Sequence, residues 1–372
     1  MYTQQGRKGI NQDAITVWEG FSGEKEMLFC GVFDGHGPAG HKVARHVRDT
    51  LPSNLSASLK FSRTNRCRCS VEVDFVDDQG DDHDHDDDDD NHNISTGDTI
   101  DRLSNANNSR NLSFHSSKKR NLSFPLWEAS FVESFKETDE VLGRDSSIDS
   151  FCSGSTAVAV VVQGCHLIIA NLGDSRAILS TRGDNNQLLP IQLTVDMKPD
   201  IPSEAERIRS CRGRVFAMQE EPDAHRIWMP DEDCPGLAMS RAFGDFCLKD
   251  HGLISTPEVS YRKLTDNDEF VVLATDGVWD VLTNNEVIRI VASAKKRSMA
   301  AKLLVTRAVR AWRRKYPSSC VDDCAVICLF LTSPPTPLTK PVPEVTSCAA
   351  GCSRLDRSMS YRCKRQGSKK VK

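Results

Sequence analysis

The stretch that decides the fold is Phe29-Cys30-Gly31-Val32-Phe33-Asp34-Gly35-His36-Gly37. The apolar run from Met27 to Phe33 is short and rich in β-forming residues, so it predicts a buried strand. Asp34 offers two hard oxygens, Gly35 lets its carbonyl approach a ligand closely, and His36 can carry a proton near neutral pH. An isolated Asp-Gly pair is more often an ordinary turn, so this stretch needs support from elsewhere in the chain.

That support comes from repetition of the same arrangement. An apolar run over 168–172 leads to Asp174, and another over 270–275 leads to Asp276. Because strand ends display side chains on a rigid frame, several strands that end in Asp can gather carboxylates at one rim. The candidates for this cluster are Asp13, Asp34, Asp174, Asp276, Asp280 and Asp323.

Carboxylates gathered in this way predict a metal site. Their repulsion and desolvation cost several kcal/mol unless cations neutralise them. Oxygen ligands favour Mg²⁺ or Mn²⁺ over Zn²⁺, and two such ions can activate water for displacement at phosphorus, with a nearby His protonating the leaving group. Metal-assisted phosphate ester hydrolysis is therefore one hypothesis, and the residues alone leave a calcium-binding or purely structural cluster equally open.

Composition limits the other possibilities. The chain has 372 residues and a net charge of -4, which makes no general case for nucleic acid. No window approaches the ~20 apolar residues of a membrane span, and the N-terminus lacks the apolar region of a signal peptide. The 14 cysteines are scattered, so we expect reduced thiols and a cytoplasmic or nuclear location.

The periodicity predicts a fold of the α+β class. Strands come in hairpins and runs, and a steady βαβ alternation is lacking, which favours antiparallel sheets. The predicted strands are 3–5, 14–18, 27–33, 156–162, 166–172, 176–180, 269–275 and 325–331. The predicted helices are 39–51, 125–142, 203–209, 283–294 and 298–312, with capping boxes at Ser203/Glu206 and Thr283/Glu286.

Three stretches have a different composition. Residues 56–122 are rich in Ser, Asn and Asp, which is typical of a disordered insertion. Residues 211–236 are polar and contain several prolines, and they predict a long surface flap. Residues 333–372 are Pro-rich and then basic, and they predict a disordered tail. We therefore expect one domain over 1–332, interrupted at 56–122, followed by the tail.

At this point the motifs carry a resemblance to a known family. The series resembles that of the metal-dependent type 2C protein Ser/Thr phosphatases, and its opening and closing motifs are most similar to the plant branch. The motifs, in the order of that family, are Phe29–Gly37, Ser153-Gly154-Ser155-Thr156, Asn171–Arg176, Gly236–Asp245, Ala274–Asp280 and Asp322-Asp323. The resemblance covers about 1–60 and 125–331. It implies an α-β-β-α sandwich of two antiparallel sheets with a binuclear Mn²⁺/Mg²⁺ centre at one end.

The resemblance also implies a role for each site residue. Asp34 would bridge the two metals, and His36 would be the general acid. The remaining metal positions would be the Gly35 carbonyl, Asp276 and Asp323 as direct ligands, Asp13 through water, and Asp174 with Asp280 at a third, weaker position. The substrate phosphate would bind Lys8, with Arg7 adjacent.

This chain departs from the family pattern in several places. Gln12 stands where the family usually has Glu, so one water-mediated carboxylate is lost. Lys8 replaces the phosphate-binding Arg and acts as a point charge rather than a bidentate fork. Cys324 replaces an Asn after the ligand Asp, with little expected effect. The chain also starts only a few residues before the opening motif, Gln4–Asp13, so we expect a shortened first strand.

Two functions follow from this pattern. The first is a phosphatase acting on phosphoserine and phosphothreonine proteins, a monomer without nucleic-acid partners or a transmembrane segment. The second is a catalytically silent phosphoprotein-binding protein that keeps the fold, which Gln12 and Lys8 favour and the intact aspartates oppose. Trp228, in the predicted flap, could contact a partner, although plain packing within the flap is the better expectation.

Overall fold

The computed structural model of the protein describes residues 1–66, 122–318 and 320–331. Met1–Thr332 forms one compact unit, and Ser333–Lys372 is grouped apart from it. The predicted tail and most of the predicted insertion therefore lie outside the described residues.

Sixteen strands and seven helices make up the described part of the chain. The strands are β1 (Tyr2–Gln4), β2 (Ala14–Glu19), β3 (Met27–Phe33), β4 (Gly35–His36), β5 (Gly154–Ser155), β6 (Ala157–Gln163), β7 (His166–Leu172), β8 (Arg176–Arg182), β9 (Leu188–Gln192), β10 (Arg214–Ala217), β11 (His225–Trp228), β12 (Pro235–Leu237), β13 (Phe243–Gly244), β14 (Glu258–Lys263), β15 (Asp268–Ala274) and β16 (Cys324–Phe330). The helices are α1 (Gly40–Arg66), α2 (Phe124–Arg144), α3 (Pro202–Ser210), α4 (Phe246–Lys249), α5 (Asp276–Trp279), α6 (Asn284–Ala292) and α7 (Ala300–Lys315).

Two five-stranded antiparallel sheets form the centre of the fold. Their strand orders are β14-β7-β6-β3-β2 and β1-β16-β15-β8-β9. Alternate residues along each strand point to opposite faces. Val158 and Val160 of β6 accordingly pack in the same apolar cluster as Val271 and Leu273 of β15, which places this cluster between the two sheets.

The helices cover the outer faces of both sheets. Helix α1 presents buried apolar residues every four positions, from Val43 to Leu59, and packs with α2 against Phe29 and Phe33 of β3. Helices α6 and α7 pack against the other sheet, around Val272. The layers are thus α-β-β-α, as the family resemblance implies. Among the described residues, no helix is both long and apolar enough to cross a bilayer.

Two predicted boundaries are wrong. Helix α1 continues through Pro52 to Arg66, so helix occupies the first residues of the predicted insertion. Its apolar repeat carries on through Leu55 and Leu59, and this packing outweighs the polar composition of the segment. The Ser203/Glu206 capping box is also absent, because α3 begins at Pro202 after Ile201. The second capping box, at Thr283/Glu286, is confirmed.

The predicted flap is more ordered than its composition suggests. Strands β10, β11 and β12 form a small antiparallel sheet within 211–236 and its immediate flank. Trp228 is buried there, stacks on Phe216 with ring centroids 5.0 Å apart, and donates its indole N–H to the Phe216 carbonyl. Plain packing within the flap therefore accounts for Trp228.

Candidate active site

Strand register brings the predicted carboxylates to one end of the two sheets. In the first sheet Ala14 pairs with Phe33, so Asp13 and Asp34 flank the same rung of the ladder. In the second sheet Ala274 pairs with Val326, which places Asp276 and Asp323 at the matching end. In an antiparallel pair, one strand ends where its neighbour begins, so residues that are distant in sequence meet at the same end of the sheet.

Hydroxyl groups fix the backbone at this rim. The Thr156 hydroxyl accepts from the Asp34 N–H at 3.1 Å and lies 2.8 Å from the Ser175 hydroxyl, next to Asp174. Thr275 has the corresponding position in the second sheet. Its hydroxyl donates to Asp13 at 2.9 Å, which links the two sheets directly.

The carboxylates perturb one another strongly. Removal from water raises the pKa of Asp13, Asp34 and Asp276 above the usual range, and the charges of neighbouring aspartates raise it further. The pKa of Asp276 rises to about 8. Removal from water also raises the pKa of Asp280, partly offset by Lys198. Ionising the carboxyl groups of the rim therefore costs free energy, and a bound cation would remove this cost.

Protein donors hold some of these oxygens. Asp323 accepts hydrogen bonds from the backbone N–H groups of Gly6 and Gln12, at 2.7 and 2.8 Å. Lys198 donates to Asp174 at 2.5 Å, and Asp174 is 3% exposed. Although burial alone would lower the pKa of Lys198, the charge and hydrogen bond of Asp174 raise it. Lys198 therefore stays protonated beside this carboxylate.

The residues present fit a hard divalent cation. Among the described residues, no group of three or more His, Cys, Asp and Glu side chains stands arranged as a complete metal-binding set. Even so, Asp13 Oδ1 and Asp174 Oδ1 are buried without any hydrogen-bond partner. Orphaned carboxylate oxygens within a group of mutually repelling aspartates offer the oxygen donors that Mg²⁺ and Mn²⁺ prefer.

His36 lies beside this group and is paired with a buried carboxylate. Its Nε2 is 2.5 Å from Oδ2 of Asp245, which is 2% exposed, and its Nδ1 has no hydrogen-bond partner. Burial alone would lower the pKa of His36, but Asp245 raises it through its charge and hydrogen bond. The pair therefore favours a protonated imidazole.

The two predicted phosphate-binding residues differ in position. Lys8 forms an ion pair with Asp322 at 2.5 Å and also feels the charges of Asp276 and Asp34. Both side chains are exposed, and the backbone N–H of Arg7 donates to the Val321 carbonyl at 2.7 Å. Lys8 therefore interacts electrostatically with the aspartate group.

Sequence reasoning missed two members of this region, Asp245 and Lys198. Asp245 stands at the end of the Gly236–Asp245 motif. Its backbone adopts φ 49° and ψ 46°, a left-handed conformation that Asp tolerates better than most residues. This conformation aims the carboxylate at His36. Lys198 lies in an irregular segment, between β9 and α3, that carries no periodic signal.

Comparison with known proteins agrees with this geometry. The family profile of protein phosphatase 2C matches residues 57–315. The rice (Oryza sativa subsp. japonica) probable protein phosphatase 2C 73 is 52% identical over 361 residues, covering 97% of this chain and 77% of that protein. The Arabidopsis thaliana probable protein phosphatase 2C 33 is 50% identical over 375 residues, covering 96% of this chain and 70% of that protein.

A solved structure shows the same fold. The serine-threonine phosphatase 2C of Toxoplasma gondii superimposes with a TM-score of 0.67 at 23% identity, over 88% of this chain and 93% of that one. The fold class is therefore the α-β-β-α phosphatase sandwich. The chain belongs to the protein phosphatase 2C family, and it is a metal-dependent protein serine/threonine phosphatase of the plant type.

Proposed function

We propose that the aspartate group at the rim hydrolyses phosphoserine and phosphothreonine in proteins with the help of two Mg²⁺ or Mn²⁺ ions. The observation that carries this proposal is the raised pKa of Asp13, Asp34 and Asp276, combined with the orphaned oxygens of Asp13 and Asp174. A site that repels its own charges in this way gains free energy when cations enter.

The family resemblance suggests a role for each metal ligand in the aspartate group. Asp34 would bridge the two ions, the Gly35 carbonyl, Asp276 and Asp323 would hold them directly, Asp13 would act through water, and Asp174 with Asp280 would hold a third ion more weakly. Bound ions supply water of lowered pKa and offset the charge of the phosphate ester. Lys198 competes for Asp174, which supports the weaker affinity of that third position.

His36 acts as the general acid. The Asp245 carboxylate accepts a hydrogen bond from Nε2–H and stabilises the imidazolium, which leaves Nδ1–H as the donor without a protein partner. Transfer of this proton to the departing serine or threonine oxygen avoids the release of a strongly basic alkoxide. Lys8 holds the substrate phosphate by its charge, and its ion pair with Asp322 keeps the ammonium near the rim.

The proposed site residues all lie in one part of the chain. We infer that residues 1–332 are the phosphatase domain, that this domain acts as a monomer, and that 333–372 are a tail outside it. The compact unit contains every proposed site residue, from Lys8 to Asp323.

Phosphate release from a phosphothreonine peptide tests the proposal. We expect release with Mn²⁺, none with EDTA, and a loss of at least 100-fold in Asp276→Asn. The matched control is Asp184→Asn, an exposed position away from the rim, which should keep full activity. Folded protein that releases no phosphate at any Mn²⁺ concentration would instead support a silent phosphoprotein-binding protein.

A further inference from the structure

A basic groove of about 650 Å³ lies between α6 and α7. Five arginines line it: Arg289 comes from α6, and Arg307, Arg310, Arg313 and Arg314 come from α7. All five are exposed. Arg307, Arg310 and Arg314 follow one another at spacings of three and four residues, so they share one helix face. The groove therefore concentrates positive charge on a single concave surface.

This charge is only partly compensated, because the one interaction with a carboxylate of the described lining is that of Glu286 with Arg314 and Arg289. Glu286 is the acidic side chain in the lining, and its carboxylate already accepts hydrogen bonds from the N–H and hydroxyl of Thr283, both at 2.9 Å. Within the described part of the chain, no carboxylate forms an ion pair with Arg307, Arg310 or Arg313. Unpaired guanidinium groups in a row suit a partner with several carboxylates or phosphates.

The shape of the groove favours a polypeptide as that partner. Leu282 and Ile290 give the lining an apolar part between the arginines. A volume of about 650 Å³ is far larger than a single phosphate ion needs, and it accommodates several residues of an extended chain. A flat lipid surface would touch only the protruding tips of the side chains and would leave the apolar part of the groove uncovered.

The groove is tied to the candidate active site. Lys315, at the end of α7, donates to the Asp280 carbonyl at 2.7 Å, and the Trp312 indole donates to the Gly277 carbonyl at 2.7 Å. The eight-residue step from Arg307 to Lys315 spans roughly 12 Å of helix, the length of about four extended residues. A substrate with its phosphoresidue at the rim can therefore place flanking residues along α7.

We propose that this groove binds an acidic segment of the phosphoprotein substrate and selects substrates that carry Asp or Glu runs about four or more residues from the phosphoresidue. The proposal deepens the phosphatase function stated above and rests on it. Single arginine–carboxylate contacts at a surface are weak and are screened by salt, so several together give about tenfold selectivity at low salt.

Direct binding tests the groove without catalysis. The probe is a fluorescein-labelled, unphosphorylated peptide with six consecutive glutamates, measured by anisotropy in EDTA with full-length protein. We expect Arg307→Glu/Arg310→Glu to weaken binding at least tenfold and 0.5 M NaCl to abolish it. The control Lys60→Glu/Lys136→Glu makes the same charge change at exposed positions on α1 and α2 and should bind like wild type. Equal binding by the groove variant overturns the proposal.

Kinetics connect the groove to substrate choice. The substrates are phosphothreonine peptides with four glutamates starting four residues away on either side, each compared with a glutamine version. We expect one glutamate peptide to show a five- to tenfold lower KM than its glutamine version, and the groove variant to lose this difference. Turnover of p-nitrophenyl phosphate should stay the same in both proteins. An unchanged KM difference in the groove variant contradicts the proposal.

Two further outcomes are distinguishable. If wild-type protein binds the glutamate peptide but hydrolyses no phosphopeptide, the phosphatase mechanism fails while the groove keeps its acidic ligand. If the wild type binds vesicles containing 30% phosphatidylserine, ignores the peptide, and loses vesicle binding in Arg307→Glu/Arg310→Glu, the groove is a membrane surface and the substrate proposal is wrong.

Discussion

His36 Nε2 and Asp245 Oδ2 lie 2.5 Å apart, and this pair joins residues that are 209 positions apart in the sequence. Asp245 raises the pKa of His36, so replacing Asp245 should lower that pKa, and the general acid should lose its proton at a lower pH. We expect Asp245→Asn to reduce kcat by about 100-fold and to move the alkaline limb of the kcat–pH profile to lower pH. Loss of kcat with an unchanged profile would indicate a purely structural role for Asp245.

The aspartate group should link metal affinity to pH. Asp276 has a pKa of about 8 in the folded protein and an ordinary value of 3.8, so between these values the folded state binds the extra proton. Stability without metal should therefore fall as pH rises from about 4 to 8. We expect Mn²⁺ to raise Tm more at pH 8 than at pH 5.5. Asp276→Asn should flatten the pH dependence without metal, and an equal Mn²⁺ shift at both pH values would contradict this view.

Glu204 should stabilise the protein at neutral pH and lose that effect in acid. Burial alone would raise its pKa, but hydrogen bonds from Arg241, Arg207 and Ser240 lower it from 4.5 to about 2. Because the folded pKa is depressed, the contribution is complete above 4.5 and disappears as pH falls towards 2. We expect Glu204→Gln to cost about 3 kcal/mol in denaturant unfolding at pH 7, and much less at pH 2.5.

The control for this prediction is Glu206→Gln, an exposed carboxylate on the same helix α3. It should leave the free energy of unfolding unchanged within about 0.5 kcal/mol. A Glu204→Gln cost that does not shrink in acid would mean that shape, and not charge, explains the effect.

Lys8 and Arg7 can be separated by mutation. Lys8 interacts with the charges of Asp276 and Asp34, whereas Arg7 makes a backbone hydrogen bond to Val321. We expect Lys8→Ala to raise KM for a phosphopeptide about tenfold and Lys8→Arg to lower it, because a guanidinium binds phosphate through two parallel hydrogen bonds. Arg7→Ala should leave KM unchanged. The reverse ranking would assign the phosphate contact to Arg7.

The inner strands of the two sheets were predictable because both of their faces are buried, whereas the edge strands β9 and β14 were not predicted. Runs such as 27–33 and 269–275 are continuous and apolar, as expected of strands buried on both faces. Such runs can be recognised without knowing which strands they pair with. Most of the aspartates were predictable for the same reason, since all of them except Asp280 lie beside a strand. Their metal-binding roles remain a prediction from family resemblance.

What the sequence could not show is pairing that depends on tertiary position. Composition marked residues 56–66 as polar, but the buried Leu59 keeps α1 helical there. The Asp245 contact with His36 depends on a left-handed residue in a loop, which has no periodic signature. The arginines of α7 appeared only as a basic helix end, because the sequence does not show that α6 lies beside them to form a groove.

The pairing of β1 with β16 has a consequence for folding. Asp323 is held by Gly6 and Gln12, so the rim closes only when a late part of the sequence meets an early one. Contacts of such long separation carry a high loop-closure entropy and form slowly. On the ribosome, the polypeptide must therefore be translated nearly to the end of this domain before the carboxylates can assemble. Until then the nascent strands expose unpaired edges, which are prone to aggregation.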